Sequence, residues 1–371
     1  MKKEKLESIQ LLRGLAALSV VMFHYRFYLV PDGADRTIPD QLFGWGAIGV
    51  DLFFVISGFI MVYVSSDKKY GTETSMKFII NRLTRILPTY YVLLLFAFLT
   101  GGAMSTFHYP EKVSNLISAL TFHPYLTKPA PLYLPDSGMY NIRWTLNYEI
   151  YFYLAFSICL LVKPRITALC TWFLLPIALA YTLTSTFTVS THGYDFNSVM
   201  LRFLTNPIIL EFGIGALTGY TYLYLKNKDV LNSAYLSILC LALIVAGIAL
   251  GQLKAYNVIS ACAFFFLVLF FALQSQQILK FTPKLLIMLG NISFSWYLIH
   301  NPLAGFISGK VDKFYPGAMH STLGFIILIV TSIFFAWLSH KYLELKLTAK
   351  VRFLMDKITS FSFQKDKKQI N

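Results

Sequence analysis

Residues 11–30 read LLRGLAALSVVMFHYRFYLV. At about 1.5 Å of rise per residue, twenty residues in a helix span ~30 Å, the thickness of a bilayer's hydrocarbon core. Arg13 and His24 lie inside this stretch, and Arg26 near its end. An ionisable group within a span is expensive and turns toward the bundle interior, a partner or a cavity. Arg13 and His24 are eleven residues apart. Eleven steps of about 100° return to within ~20° of the same face, ~16 Å further along the axis. One face therefore offers a fixed cation near one membrane surface and a titratable ring much deeper. Such a face suits a long, partly anionic ligand held end to end.

The rest of the chain repeats the pattern. Of 371 residues, 56% are hydrophobic and 13% charged, and the mean hydropathy is +0.59. A soluble domain carries about twice that charged fraction. The apolar residues come in runs of about twenty, not in the ~10-residue alternating segments of a β-barrel. The fold class is all-α, a polytopic transmembrane helical bundle. Cys159, Cys170, Cys240 and Cys262 all fall in apolar stretches and are expected to be small core residues, with no disulfide framework and no metal-ligand spacing. No metal is expected. The net charge of +14 is spread along the chain rather than clustered on a soluble domain, so a nucleic-acid partner is not expected. Arg13 interrupts the first apolar run, and no small-residue cleavage site follows it, so no cleavable signal peptide is expected.

About ten spans are expected, near residues 11–30, 46–64, 86–103, 144–162, 166–185, 203–225, 233–251, 257–273, 286–308 and 321–340. One alternate set of connections, which includes both termini, carries 22 Lys and Arg; the opposite set carries nine, and Arg13 within the first span completes the 32. The positive-inside rule puts both termini in the cytoplasm; the expected location is the inner (plasma) membrane, multi-pass. The connection 104–143, rich in Pro, Tyr and His, is expected to form an ordered outer cap of low helicity. The transmembrane domain covers residues 1–345. A basic cytoplasmic tail, 346–371, is too short for a second domain.

Depth follows from this orientation at ~1.5 Å per residue. His24 falls ~20 Å from the start of its span, in the outer half. Asp51 and Glu149 each fall ~8 Å below the outer edge, and His300 near the same level. Four titratable residues thus share one layer, as a functional polar cluster or as structural ion pairs. Toward the cytoplasm, Arg82 and Arg85 in NRLTRILP are three apart and share a helical face. They serve as a phosphate clamp or simply as the positive stop of a span. A deep imidazole beside a carboxylate acts as a general base or a transient acyl carrier. Acyl-coenzyme A has the matching shape, a phosphorylated head with a reactive thioester at its far end.

The motifs LLRGLAALSVVMFH, GVDLFFVISGF, RLTRILP, WTLNYEIYFY and ISFSWYLIHNPL, in this order, resemble the acyltransferase-3 family of integral membrane acyltransferases, and within it the exopolysaccharide O-acetyltransferase branch. The resemblance implies transfer of an acetyl group from acetyl-coenzyme A, the donor co-substrate, to a hydroxyl of a cell-envelope or exopolysaccharide glycan or its lipid-linked precursor. It further implies that Arg13 and His24 form an essential pair and that Arg82 and Arg85 bind the coenzyme, with Arg13 along the path of its arm. Asp51 and Ser57 fall in the second motif and Trp144 and Glu149 in the fourth. His24 is then the catalytic group, oriented by Glu149 or Asp51, with Ser57 on the donor side and Trp144, Tyr297 and His300 on the acceptor side. Many members end the last helix with Glu-x-Pro. Here Glu344-Leu345-Lys346 lacks the proline, so Glu344 is expected only to pair with a nearby lysine. No SGNH-type hydrolase-like extension is read, so the membrane domain is expected to act on its acceptor directly.

A transporter or flippase for a lipid-linked saccharide is the main rival, using the same polar layer as a pathway. Internal repeats and paired broken helices would mark it, and neither is read in the sequence. A non-catalytic sensor would not need His24 together with the Arg pair. Tyr125 and Tyr133 on the long connection are candidates for stacking on sugar rings. His108 and His123 are expected to face solvent. Glu211, in ILEFGIGALTG, sits either at a functional depth or simply within small-residue helix packing.

Overall fold

The computed structural model describes residues 6–136, 139–228, 234–355 and 357. The N-terminal lysines and most of the basic tail counted above lie outside the described residues. The chain begins with α1 (Glu7–Tyr25), a 3-10 turn (Arg26–Leu29), and α2 (Thr37–Phe43), which a second 3-10 turn joins to α3 (Gly49–Ser65). Next come α4 (Thr72–Thr100), α5 (Ala103–Thr106), α6 (Pro110–Thr121), α7 (Trp144–Cys159), α8 (Arg165–Thr184), α9 (Val199–Leu204) and α10 (Ile209–Leu225). The remainder is α11 (Tyr235–Ala249), α12 (Val258–Leu273), α13 (Ser275–Phe281), α14 (Lys284–Val311), α15 (Thr322–Ser339) and a π-helical segment, His340–Leu347. Among the described residues, strand-like pairing is confined to a single bridge between Ser190 and Asn257.

All ten apolar stretches are mainly helical over their described residues. Six helical segments among the described residues are long and apolar enough to cross a membrane, or seven if α12 and α13, bent by 85°, count as one. Two of the others have identifiable causes. α7 has only 16 residues. α14 has 28 but carries Asn291, Ser293, Ser295, His300 and Asn301, whose polarity lowers its mean hydropathy. The first stretch ends in a short 3-10 turn and the second begins in one, and α4 starts at Thr72, fourteen residues before the predicted span, so Arg82 and Arg85 lie inside one continuous helix. The long connection holds more helix than expected: Pro110, at the first position of α6, pre-sets the backbone angle of a 12-residue helix. The last helical run passes through the predicted domain boundary at 345 and continues to Met355. Cys159 is buried as expected, but Cys170 and Cys262 are exposed.

Two close helix pairs set the centre of the bundle. α1 packs along α14, and α3 along α10. A Cβ at Gly290 would stand 1.9 Å from the Gln10 carbonyl oxygen, and one at Gly14 would stand 2.7 Å from the Gly290 nitrogen. Only glycines let two backbones come this near. A Cβ at Gly215 would likewise stand 2.1 Å from the Val55 carbonyl oxygen, so the small residues after Glu211 do form a helix contact.

Candidate active site

Five helices enclose one pocket of about 780 Å³, counting its mouth. α1 supplies Arg13, α3 supplies Ser57 among apolar neighbours, α4 supplies Arg82 and Arg85, α7 supplies Glu149 and Tyr153, and α14 supplies Tyr297. The spacing of the arginines explains their convergence, since residues three apart on a helix share a face. Arg82 lies with its guanidinium 5.4 Å from the Phe78 ring centre and 5.6 Å from that of Tyr153. The Tyr153 hydroxyl donates to Glu149 Oε1. Arg13 donates to Gln10 Oε1 at 3.2 Å. Among the described residues, none of these three arginines makes an ion pair with a carboxylate. The pocket therefore holds three guanidiniums against one carboxylate on its wall. Such a wall can receive an anion, since guanidiniums fit phosphate oxygens in bidentate fashion.

His24 lies beyond this pocket, paired with His300. The rings are 5.0 Å apart between centres, and His300 Nε2 stands 3.3 Å from His24 Nδ1. Tyr297 joins the two regions: it lines the pocket, and its ring centre lies 5.8 Å from that of His300. The Tyr297 hydroxyl is held by Thr145 Oγ1 at 2.9 Å and by the Ile142 carbonyl at 3.1 Å. The Tyr25 hydroxyl donates to the His300 carbonyl at 2.8 Å, which fixes α1 against α14 at the level of the pair.

A family model described as an acyltransferase domain matches residues 6–341. The chain belongs to the acyltransferase-3 family. Among its relatives is the exopolysaccharide production protein ExoZ of Rhizobium meliloti (strain 1021), 35% identical over 185 residues, which are 48% of this chain and 51% of ExoZ. The peptidoglycan O-acetyltransferase OatA of Listeria monocytogenes is 26% identical over 170 residues, 42% of this chain and 24% of OatA. The putative peptidoglycan O-acetyltransferase YrhL of Bacillus subtilis is 26% identical over 170 residues, 41% of this chain and 23% of YrhL. The matches thus span about half of ExoZ and about a quarter of the other two. No solved structure matches the chain. Acyltransferase-3 members are membrane proteins, in keeping with the apolar helices here.

Within this acyltransferase domain, the residues of the predicted polar layer separate into three places. His24 meets His300. Glu149 faces the arginine pocket and pairs with Tyr153. Asp51, fully buried, accepts from the backbone N–H groups of Tyr256 at 2.9 Å and Asn257 at 2.8 Å. It holds the chain at the entry to α12, where the Asn257 side chain itself caps by accepting from the Ile259 N–H at 2.8 Å. Glu211 is buried beside it. Neither Asp51 nor Glu149 hydrogen-bonds to His24 among the described residues. Asp51→Ala leaves two buried N–H groups without an acceptor. It is expected to cost about 1–3 kcal/mol of stability, read as earlier thermal inactivation of the purified protein. An unchanged inactivation profile would contradict this. Trp144 does not line the pocket; it is buried with its ring centre 6.2 Å from that of Phe54 and 5.3 Å from that of Tyr256.

One residue set aside in the sequence belongs near the site. The π-helical segment turns Glu344 inward. It accepts from the Ser295 N–H at 3.0 Å and from the Ser295 hydroxyl, and His340 Nδ1 stands 3.3 Å from its other oxygen. Ser295 lies between Ser293 and Tyr297, which line the pocket, a link that the missing proline concealed. The sugar-stacking candidates differ: Tyr133 is buried, its hydroxyl donating to the Arg202 carbonyl at 3.1 Å and accepting from Asn206 at 2.9 Å, while Tyr125 is only partly buried.

Proposed function

We propose that the domain transfers an acetyl group from acetyl-coenzyme A to a hydroxyl of an exopolysaccharide or other cell-envelope glycan, or of its lipid-linked precursor. The observation that carries this reading is the pocket whose three arginines pair with no carboxylate among the described residues, with Tyr297 on its wall packed against the His300 ring of the histidine pair. In this reading Arg82 and Arg85 take the coenzyme's phosphates. Arg13 lines the path of its arm, Ser57 flanks that path, and the thioester lies toward Tyr297. His24 then removes the proton of the acceptor hydroxyl as that oxygen attacks the thioester carbon. Tyr297 and His300 stand on the acceptor side. The relatives support an envelope glycan, since one acts in exopolysaccharide production and another is named a peptidoglycan O-acetyltransferase. The domain so proposed occupies residues 1–345, crosses the inner membrane about ten times, and keeps both termini and the mouth of the arginine pocket in the cytoplasm.

The test is acetyl transfer by the purified protein in proteoliposomes, with labelled acetyl-coenzyme A and envelope glycan. Label appearing in ester linkage on the glycan supports the reading. Translocation of a lipid-linked saccharide with no ester formed sinks it. The donor assignment has its own test. A charge-assisted contact to phosphate contributes about 1.5–3 kcal/mol, so Arg85→Gln or Arg82→Gln is expected to weaken acetyl-coenzyme A binding about tenfold to a hundredfold. Dephospho-coenzyme A derivatives should show a smaller effect for whichever arginine meets the missing phosphate. Equal affinity in wild type and both variants would remove the phosphates from this pocket.

A further inference from the structure

The hydrogen bonds around the two histidines run in a single direction. His300 Nδ1 lies 2.6 Å from the Tyr297 carbonyl oxygen and 3.2 Å from that of Trp296. Carbonyls only accept, so this nitrogen carries the hydrogen, and Nε2 of the neutral ring is left with a lone pair. That lone pair faces His24 Nδ1 at 3.3 Å. His24 Nδ1 in turn lies 2.9 Å from the Val20 carbonyl oxygen, so it too carries its hydrogen, shared between two acceptors. The consequence is that His24 Nε2 bears the free lone pair. It is the atom able to take a proton.

We propose that His300 is a positioning residue that fixes His24 as a base at Nε2 and shares the charge when that base is protonated. This deepens the acyl-transfer reading and rests on it. His300 does the work a carboxylate does for a catalytic histidine elsewhere. A neutral ring suits this depth, because a carboxylate facing His24 would itself have to be desolvated on burial. The two carboxylates expected to fill the role are committed elsewhere, Asp51 to backbone N–H groups and Glu149 to Tyr153.

In the step itself, the acceptor hydroxyl oxygen bonds to the thioester carbon and the carbon–sulfur bond breaks. The hydroxyl proton moves to His24 Nε2. The positive charge is spread through Nδ1–H to His300 Nε2. The proton then passes from His24 Nε2 to the departing thiolate, giving free coenzyme A thiol and the neutral pair again. Both rings must be unprotonated at the start: a protonated His24 cannot take the proton, and a protonated His300 cannot accept from Nδ1–H. Among the described residues, the other titratable groups around the pair are Tyr25 and Arg26 on α1 and its end and Tyr297 on α14, with Tyr28 beyond Tyr25. Among the described residues no carboxylate hydrogen-bonds to either ring.

The experiment is the pH–rate profile of acetyl transfer by the full chain in proteoliposomes, for wild type, His300→Ala and His300→Gln. The glutamine side-chain oxygen can accept from His24 Nδ1–H but does not titrate. His300→Ala is expected to lower kcat about a hundredfold, with KM for acetyl-coenzyme A within about twofold. His300→Gln is expected to recover most of that kcat. Below the optimum, the logarithm of the wild-type rate should fall with a slope approaching two per pH unit, and that of His300→Gln with a slope of one. A kcat for His300→Ala within twofold of wild type, with His24→Ala inactive, overturns the positioning role and leaves acyl transfer standing. A low kcat in both His300 variants alike, or an unchanged slope, also overturns it and reduces His300 to packing. An active His24→Ala would instead remove the reading on which the proposal stands.

Discussion

His24→Ala is expected to cut acetyl transfer to glycan by 10³-fold or more while acetyl-coenzyme A still binds. General-base catalysis by a positioned side chain contributes about 10²–10⁴-fold, and the ring lies where the proposed donor's reactive end would arrive. The separation of the two effects follows from distance. Arg13 stands ~16 Å back along the same helix, and the arginine pocket does not include His24 among its walls. Removing the ring therefore takes away chemistry and leaves the anion site in place. The measurement is transfer of labelled acetyl by purified wild-type and variant protein, alongside equilibrium binding of labelled acetyl-coenzyme A. Near-wild-type transfer by a well-folded variant would sink the mechanism. Loss of binding in step with transfer would move His24 into the donor pocket.

Gly290→Val carries the second large effect. The first atom of the new side chain would fall 1.9 Å from the Gln10 carbonyl oxygen. That neighbour is backbone within a helix and cannot swing aside. Overpacking costs about 1–3 kcal/mol where side chains give way; here two helices must part, and the cost should exceed 3 kcal/mol. The expected result is a several-fold drop in folded yield by size exclusion. Whatever folds should transfer acetyl at a fraction of the wild-type rate per molecule, because α1 and α14 carry His24 and His300. Wild-type yield together with wild-type specific activity would show that the crossing is not needed.

Much of this was legible in the residues, and the misses have physical causes. The apolar runs became helices because in hydrocarbon each backbone N–H and C=O must find its partner within the segment. The ends were less visible. The start of α4, Thr72–Asn81, is polar and amphipathic, so a hydropathy reading begins the span too late. α6 was hidden in a connection whose Pro, Tyr and His read as loop, although Pro110 is a good first helical residue. In the site, the three arginines, Ser57, Glu149 and Tyr297 converge on one pocket. Asp51 shared the predicted depth of His24, Glu149 and His300 but not their position around the bundle. Depth follows from counting residues along one helix. Which neighbour a residue faces depends on how helices rotate and cross, and one sequence does not record that. Glu344 was passed over for a missing proline, when the useful signal was His340 four residues before it on an inward-turning segment.

The Gly14–Gly290 crossing and the imidazole pair are ten residues apart on both helices, so α1 and α14 run in the same direction with matched register. The crossing acts as a pivot and the ten residues beyond it as a lever arm ~15 Å long. A splay of ~10° about that pivot would swing the two ring tips apart by ~2.6 Å, further than any hydrogen bond between them survives.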